Sequence, residues 1–260
     1  RLQSAFKYLV RWSSSCGMRL YPQKCVILHF GLNNPAHEYF INGSKVSGCN
    51  EARDLGVLIS DDCSQSTHVQ NITKKAHAVL SQMKRTLTYR DSKVFAGIYK
   101  QYVRPILEYG VEAWNPAKIA DVNALEKVQK RAFRLITDNG AITYDMKLKI
   151  TGISTLEKRR ERGDLIQTFK IINDMSVLDK RDFFEFVGER HNIDTRNHSD
   201  NLLVPEKCRL NVRKNFFSCR VVNSWNDLPE WVRGAVSVNE FKNMYDDFQS
   251  YCGIDETYVD

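Results

Sequence analysis

Apolar residues recur at helical spacing at the start of the chain. Leu2, Ala5, Phe6, Leu9 and Val10 predict an amphipathic helix over residues 2–12. The run Ser13–Ser14–Ser15 followed by Gly17 is expected to end it. The pattern then changes period. Beyond Pro22, Val26, Ile27, Leu28 and Phe30 form an extended apolar run. Phe40–Ile41 and Val46 flank Asn42–Gly43, a hairpin turn signal because both residue types tolerate positive φ. Leu55 to Ile59 predicts another short strand, closed by Ser60–Asp61–Asp62. Residues 1–64 therefore predict one helix followed by an antiparallel strand set.

The middle of the chain predicts helices. Ile72, Ala76, Val79, Leu80, Met83 and Leu87 make one apolar stripe, and Lys74, Lys75, Lys84 and Arg85 fall off it. Asp91 or Ser92 is expected to cap the next helix, with Phe95, Ile98, Tyr102 and Ile106 inward. Pro105 must kink or restart that helix, because it lacks an N–H and crowds the preceding turn. Residues 121–136 carry the clearest helical pattern. Asp121 is placed to cap it, Leu125, Val128, Ala132 and Leu135 line one face, and Lys127, Lys130, Arg131 and Arg134 line another. A further helix is expected from Thr155 to Met175, opening with Lys158, Arg159, Arg160 and Arg162. Residues 192–201 are polar and expected to loop. Phe217, Val221 and Trp225 share a helical face that Pro229 ends, and Phe241, Tyr245 and Phe248 mark a short helix over 237–251. The expected fold is α+β and predominantly helical. A small antiparallel region covers 1–64, a helical domain 65–175, and a mixed C-terminal segment 176–260.

Composition agrees with a folded chain: 260 residues, 42% hydrophobic, 27% charged and 11% aromatic. No apolar run approaches the roughly 20 residues that span a bilayer, and no opening stretch resembles a signal peptide. The chain begins with Arg1 rather than Met, so it is expected to be part of a longer polypeptide. The net charge of +7 is uneven. Residues 65–170 hold 20 basic and 10 acidic side chains, whereas 171–260 hold 11 and 16. A basic middle suits a polyanion, since neutralising phosphates releases condensed counterions. A lysine-rich solvated helical face is the other explanation. The acidic residues Asp246, Asp247, Asp255, Glu256 and Asp260 are expected to fray into solvent.

Candidate chemistry is sparse. Cys16, Cys25, Cys49, Cys63, Cys208, Cys219 and Cys252 are odd in number and form no CxxC pair, which predicts reduced structural thiols in an intracellular protein, nuclear or cytoplasmic, and no metal site. His191 and His198 are not at metal-ligand spacing from any cysteine pair. Arg162–Gly163–Asp164 spells an adhesion tripeptide, but inside a predicted helix. Asp61–Asp62 could hold magnesium, yet no third carboxylate is placed beside them, and a solvated turn is the simpler account.

The order of several phrases carries more. The segment Gly17 to Gly31, GMRLYPQKCVILHFG, resembles the stretch that follows the catalytic centre of a reverse transcriptase. Arg53 to Ser60, RDLGVLIS, followed by His68, resembles the entry to its thumb. Val103 to Trp114, VRPILEYGVEAW, and Leu125 to Ile136, LEKVQKRAFRLI, resemble thumb phrases of jockey-like non-LTR retrotransposons. Arg159 to Ile166 and Phe216 to Pro229 resemble their C-terminal region. The resemblance covers nearly the whole chain, in order. It implies a palm remnant over 1–64, a thumb-like domain over 65–175 and a C-terminal segment.

The resemblance implies RNA-directed DNA synthesis for the parent protein, with Mg2+ held by three aspartates. The two in an F/Y-x-D-D hairpin are expected upstream of Arg1, and no phrase here matches them. This chain is therefore expected to hold no cofactor and to be inactive alone. Lys24 matches a post-catalytic strand lysine, implied to approach the triphosphate and protonate leaving pyrophosphate, and an exposed strand-end lysine is the alternative. Asp54, Leu55 and Gly56 match the region that supports the primer end. The basic faces, Lys74, Lys75, Lys84, Arg85, Lys127, Lys130, Arg131, Arg134, Arg159 and Arg160, suit a thumb gripping the backbone of an RNA–DNA template–primer or RNA. Tyr109 and Trp114 either stack on a base or pack beside Pro105. The implied partners are that duplex and the upstream palm and fingers of the same polyprotein, with no membrane. The alternative is a decayed or repurposed helical protein-interaction module.

Overall fold

The computed structural model describes residues 2–31, 33–87, 92–136, 142–191 and 201–255. Asp91, the polar stretch 192–200, Glu256 and Asp260 lie outside the described residues. The chain is mostly helical, at 61%, with small sheets. It forms two compact units, Arg1–Ile72 and Thr73–Asp260.

In the first unit, α1 (Leu2–Ser15) runs through the serine run instead of stopping before it. The hydroxyls of Ser13 and Ser14 donate to the Val10 carbonyl and that of Ser15 to the Trp12 carbonyl, so they do not compete with the helix. The helix ends at Gly17, at φ 70°, where Met18 N–H donates to Ser13 O and Gly17 N–H to Ser14 O. Among the described residues six short strands follow: β1 (Val26–Leu28), β2 (Phe40–Ile41), β3 (Ser44–Lys45), β4 (Ser47–Cys49), β5 (Glu51–Asp54) and β6 (Val57–Ser60). The pairs β2–β3 and β5–β6 are antiparallel hairpins; the first turns at Asn42–Gly43 as expected, whereas Leu55, expected in a strand, stands in the turn of the second. The pair β1–β4 is parallel, which corrects the wholly antiparallel expectation. The physical reason is the intervening hairpin: it returns the chain to its starting direction, and residues 29–46 are long enough for a parallel crossover. Ile27, Ile41 and Val46 make the small core, with Phe6 and Val10 of α1 packed on it. The Gln3 amide donates to Phe40 O and accepts from Phe40 N–H, closing the exposed edge of β2.

The long helix α2 (Ser66–Thr86) carries the boundary between the units. In the second unit, α3 (Ser92–Ile98) passes into a π-helical turn at Tyr99–Val103 and then α4 (Arg104–Glu108). Pro105 restarts the helix in the first turn of α4, where its missing N–H costs nothing. The π-turn alters the inward face. Phe95, Tyr99, Val103 and Leu107 are buried, and Tyr102, expected inside, is 62% exposed. A strict four-residue repeat drifts around an α-helix, and the wider π-turn cancels that drift.

The remaining helices are α5 (Val111–Trp114), α6 (Ile119–Ile136), α7 (Tyr144–Thr151), α8 (Leu156–Ile172), α9 (Lys180–Phe183), α10 (Val187–His191), α11 (Asn211–Lys214), α12 (Phe217–Asn226), α13 (Glu230–Arg233) and α14 (Val238–Asp255). Thr155 caps α8, its hydroxyl accepting from Lys158 N–H. Helix α8 packs against α5, α6, α12 and α14. One core joins Leu165 and Phe169 of α8 to Val221 and Trp225 of α12 and Phe241 and Tyr245 of α14. That core is continuous from α8 to α14. Asp246, expected to fray, lies within α14 and accepts from Nε and Nη2 of Arg162, each at 2.7 Å.

Candidate nucleic-acid interface

The two basic helices of the second unit meet at Arg131. Its Nη1 lies 3.4 Å from His77 Nδ1 and its Nη2 donates to Ser81 Oγ at 3.4 Å. A guanidinium has no acceptor, so His77 Nδ1 supplies the lone pair and the ring is neutral in this contact. Burial, then the nearby Arg131 charge, lowers the His77 pKa below its ordinary value. On α2, Lys74, Lys84 and Arg85 share with His77 and Ser81 an arc of about 100°, at 3.6 residues per turn. Lys75 lies outside that arc. On α6, Lys127, Lys130, Arg131 and Arg134 share a similar arc. All eight side chains are exposed. Among the described residues none of the eight pairs with a carboxylate, and Lys130 sits 5.0 Å over the Tyr144 ring.

Buried polar groups hold α6 in place. Gln129 is fully buried; its Oε1 accepts from Tyr99 Oη at 2.7 Å, and its Nε2 donates to Tyr144 Oη at 2.9 Å and Ser154 O at 3.1 Å. Tyr144 passes its proton donation to Glu126, whose other oxygen accepts from Leu156 N–H.

The basic cluster opening α8 is held by partners within the chain. Arg160 is 2% exposed, and its Nε donates to Asn115 Oδ1 at 3.0 Å. Burial lowers its pKa. Arg159 pairs with Glu108 through Nε and Nη2, and that hydrogen bond raises its pKa. Both cations serve the fold because α8 is central and its first turns face α4 and α5. The acidic end of the tripeptide 162–164 is likewise internal. Asp164 is 4% exposed and paired with Arg220. Trp114 is buried, donating to Tyr109 O at 2.7 Å, whereas Tyr109 is exposed.

In the first unit, Lys24 ends a short 3-10 turn just before β1, exposed, with its ammonium 5.7 Å over the Tyr21 ring. Asp54, Leu55 and Gly56 form the tip of the β5–β6 hairpin. Leu55 and Gly56 have φ of 44° and 91°, the pair of positive angles that marks a type I′ turn. Leu55 is 85% exposed in that left-handed backbone, which costs a non-glycine residue about 1–2 kcal/mol. His68, buried in α2, accepts from Leu58 N–H at 3.1 Å and so ties the first turn of that helix to β6.

The two-magnesium centre implied for the parent polymerase has no matching donor set among the described residues. Asp62 accepts instead from Ser64 N–H at 2.7 Å within a turn. A different group does converge: Glu206, Cys208 and Cys219 offer ligand atoms within 4.8 Å of one another. The spacing of the cysteines hid it, since ten residues separate the two and nothing local shows how that loop returns.

Comparison with known proteins finds a likeness to an RNA-directed DNA polymerase of a transposon. The chain is 25% identical over 146 residues to the "Probable RNA-directed DNA polymerase from transposon BS" of Drosophila melanogaster, which is 53% of this chain and 16% of that protein. It is 22% identical over 114 residues to an uncharacterized protein of Caenorhabditis elegans, 43% of this chain and 58% of that protein. The chain thus spans less than two thirds of either relative. No family model and no solved structure matches. The first likeness supports a retrotransposon reverse-transcriptase-related origin. Among the described residues no helix is long and apolar enough to cross a membrane.

Proposed function

We propose that this chain is part of a retrotransposon reverse transcriptase of the jockey-like, non-LTR group and that its second unit acts as a thumb. It grips the backbone of an RNA–DNA template–primer through α2 and α6. The observation that carries the proposal is the partition of cations in the second unit. Arg159, Arg160, Arg162 and Arg220 are bound internally, while the basic residues of α2 and α6 face solvent beside one another. Backbone contacts of this kind position a duplex without reading its sequence. Lys24 and the 54–56 hairpin tip act in a longer polypeptide that carries the catalytic aspartates. Without metal-holding carboxylates the chain alone binds and does not polymerise; robust primer extension with Mg2+ would refute that.

The test is fluorescence anisotropy with a labelled RNA–DNA template–primer, titrated over salt. Five to seven phosphate contacts predict a log–log slope of about −4 to −6, and Lys130→Glu with Arg134→Glu should lessen it by about 2. Absence of binding at low salt, or binding indifferent to the charge reversal, overturns the proposal. A second function, docking onto another polypeptide, is favoured by one observation: Leu2, Leu9, Trp12, Val26, Phe30 and Phe40 of the first unit are exposed. The upstream palm and fingers would be that polypeptide. Apolar association does not weaken with salt, so the same titration separates the two.

A further inference from the structure

The second unit holds a cluster of soft ligands away from the basic helices. Leu203 pairs with Phe186 in a short antiparallel bridge, and the chain beyond it carries Glu206 and Cys208. The Cys208 thiol donates to the Glu206 carbonyl oxygen at 3.6 Å. Cys219 lies in the first turn of α12, which is anchored in the core by Phe217 and Val221. The Cys219 thiol donates to Glu206 Oε2 at 3.4 Å. Arg213 of α11 orients that carboxylate, with Nε at 3.1 and 3.2 Å from its two oxygens and Nη2 at 2.6 Å from Oε2.

We propose that Glu206, Cys208 and Cys219 bind one thiophilic divalent cation, Zn2+, with a fourth position left to water or to an external ligand. Three considerations carry this. Two sulfurs and a carboxylate form a donor set that selects zinc over magnesium or calcium. With zinc–sulfur bonds of about 2.3 Å and a zinc–oxygen bond of about 2.0 Å, a tetrahedron has sulfur–oxygen edges of about 3.5 Å. The Cys219–Glu206 separation already matches that edge, and all three donors lie within 4.8 Å. Charge also balances: Arg213 offsets Glu206, and the two thiolates left after loss of their protons offset the cation. Arg213 is a positioning residue, holding the carboxylate as outer partners of metal ligands do. The bound ion would clamp the 206–208 segment to the start of α12.

The experiment is a competition titration of the full, reduced chain with Zn2+ and a chromophoric chelator, repeated with Co2+ to read sulfur-to-cobalt charge-transfer absorption. One Zn2+ per chain is expected. Cys208→Ser and Cys219→Ser should each weaken it by roughly 100-fold or more and abolish the cobalt band. Cys16→Ser and Cys63→Ser, outside the cluster, should leave both unchanged, and Arg213→Ala should weaken binding by about 10-fold. Circular dichroism of each variant separates lost ligation from lost folding. Failure of the chain to compete for Zn2+ overturns the proposal. So does retention undiminished in both serine variants that fold, or a Cys208–Cys219 disulfide in the freshly isolated, metal-free chain.

Discussion

Asp164 offers the sharpest test of how the second unit is held together. It lies in α8 at 4% exposure, and its carboxylate accepts Arg220 Nε at 2.9 Å, Arg220 Nη2 at 2.8 Å and Asn115 Nδ2 at 3.1 Å. Arg220 also donates to Asn215 O at 3.1 Å and Glu112 O at 2.8 Å. Asp164→Ala leaves that guanidinium buried without a counter-charge, which costs about 3–5 kcal/mol. For a unit of this size each kcal/mol moves the melting temperature by about 2–4 °C, so a fall of roughly 6–20 °C is expected. Replacing both partners, as Asp164→Leu with Arg220→Met, removes the stranded charge. Two backbone carbonyls still lose their donor, so the double variant should recover much of the loss and not all of it. Urea unfolding followed by circular dichroism measures each variant. An Asp164→Ala cost under about 1 kcal/mol would show that the pair is solvated and that the network does not organise α8, α5 and α12. The same result would reopen the adhesion tripeptide, since Asp164 would then be accessible.

Gln129→Leu removes three hydrogen bonds at a fully buried site and strands the Tyr99 hydroxyl and Ser154 carbonyl. A loss of about 2–5 kcal/mol is expected by chemical denaturation, less than additive with Tyr99→Phe. His77 should titrate below an exposed histidine in an NMR pH series, chiefly through burial, and Arg131→Met should bring it part of the way back. The native state resists protonating His77, so its contribution to stability is present above about pH 6.5 and is lost as pH falls through the lowered native value. A phosphate held by the α2–α6 face would reverse that shift, so duplex binding should take up a proton and strengthen as pH falls. A His77 pKa unmoved by saturating duplex would place the duplex elsewhere.

Much of the secondary structure was legible because its causes are local. The helical period around Leu125, Val128 and Ala132, the Asn42–Gly43 turn and the start of α8 near Thr155 each depend on neighbours within about four residues. The exposed faces of α2 and α6 were legible for the same reason. The sequence by itself therefore determined where helices form, which sides carry charge, and the order of phrases that resembles a reverse transcriptase. It could not decide which cations remain free. Lys127 to Arg134 and Lys158 to Arg162 look alike as text, but Glu108 and Asn115, distant along the chain, claim Arg159 and Arg160. The π-turn that exposes Tyr102, the parallel β1–β4 pair and the meeting of Cys208 with Cys219 have the same origin. Each depends on a contact between segments far apart in the chain, and the energy of that contact exists only once the tertiary fold has formed.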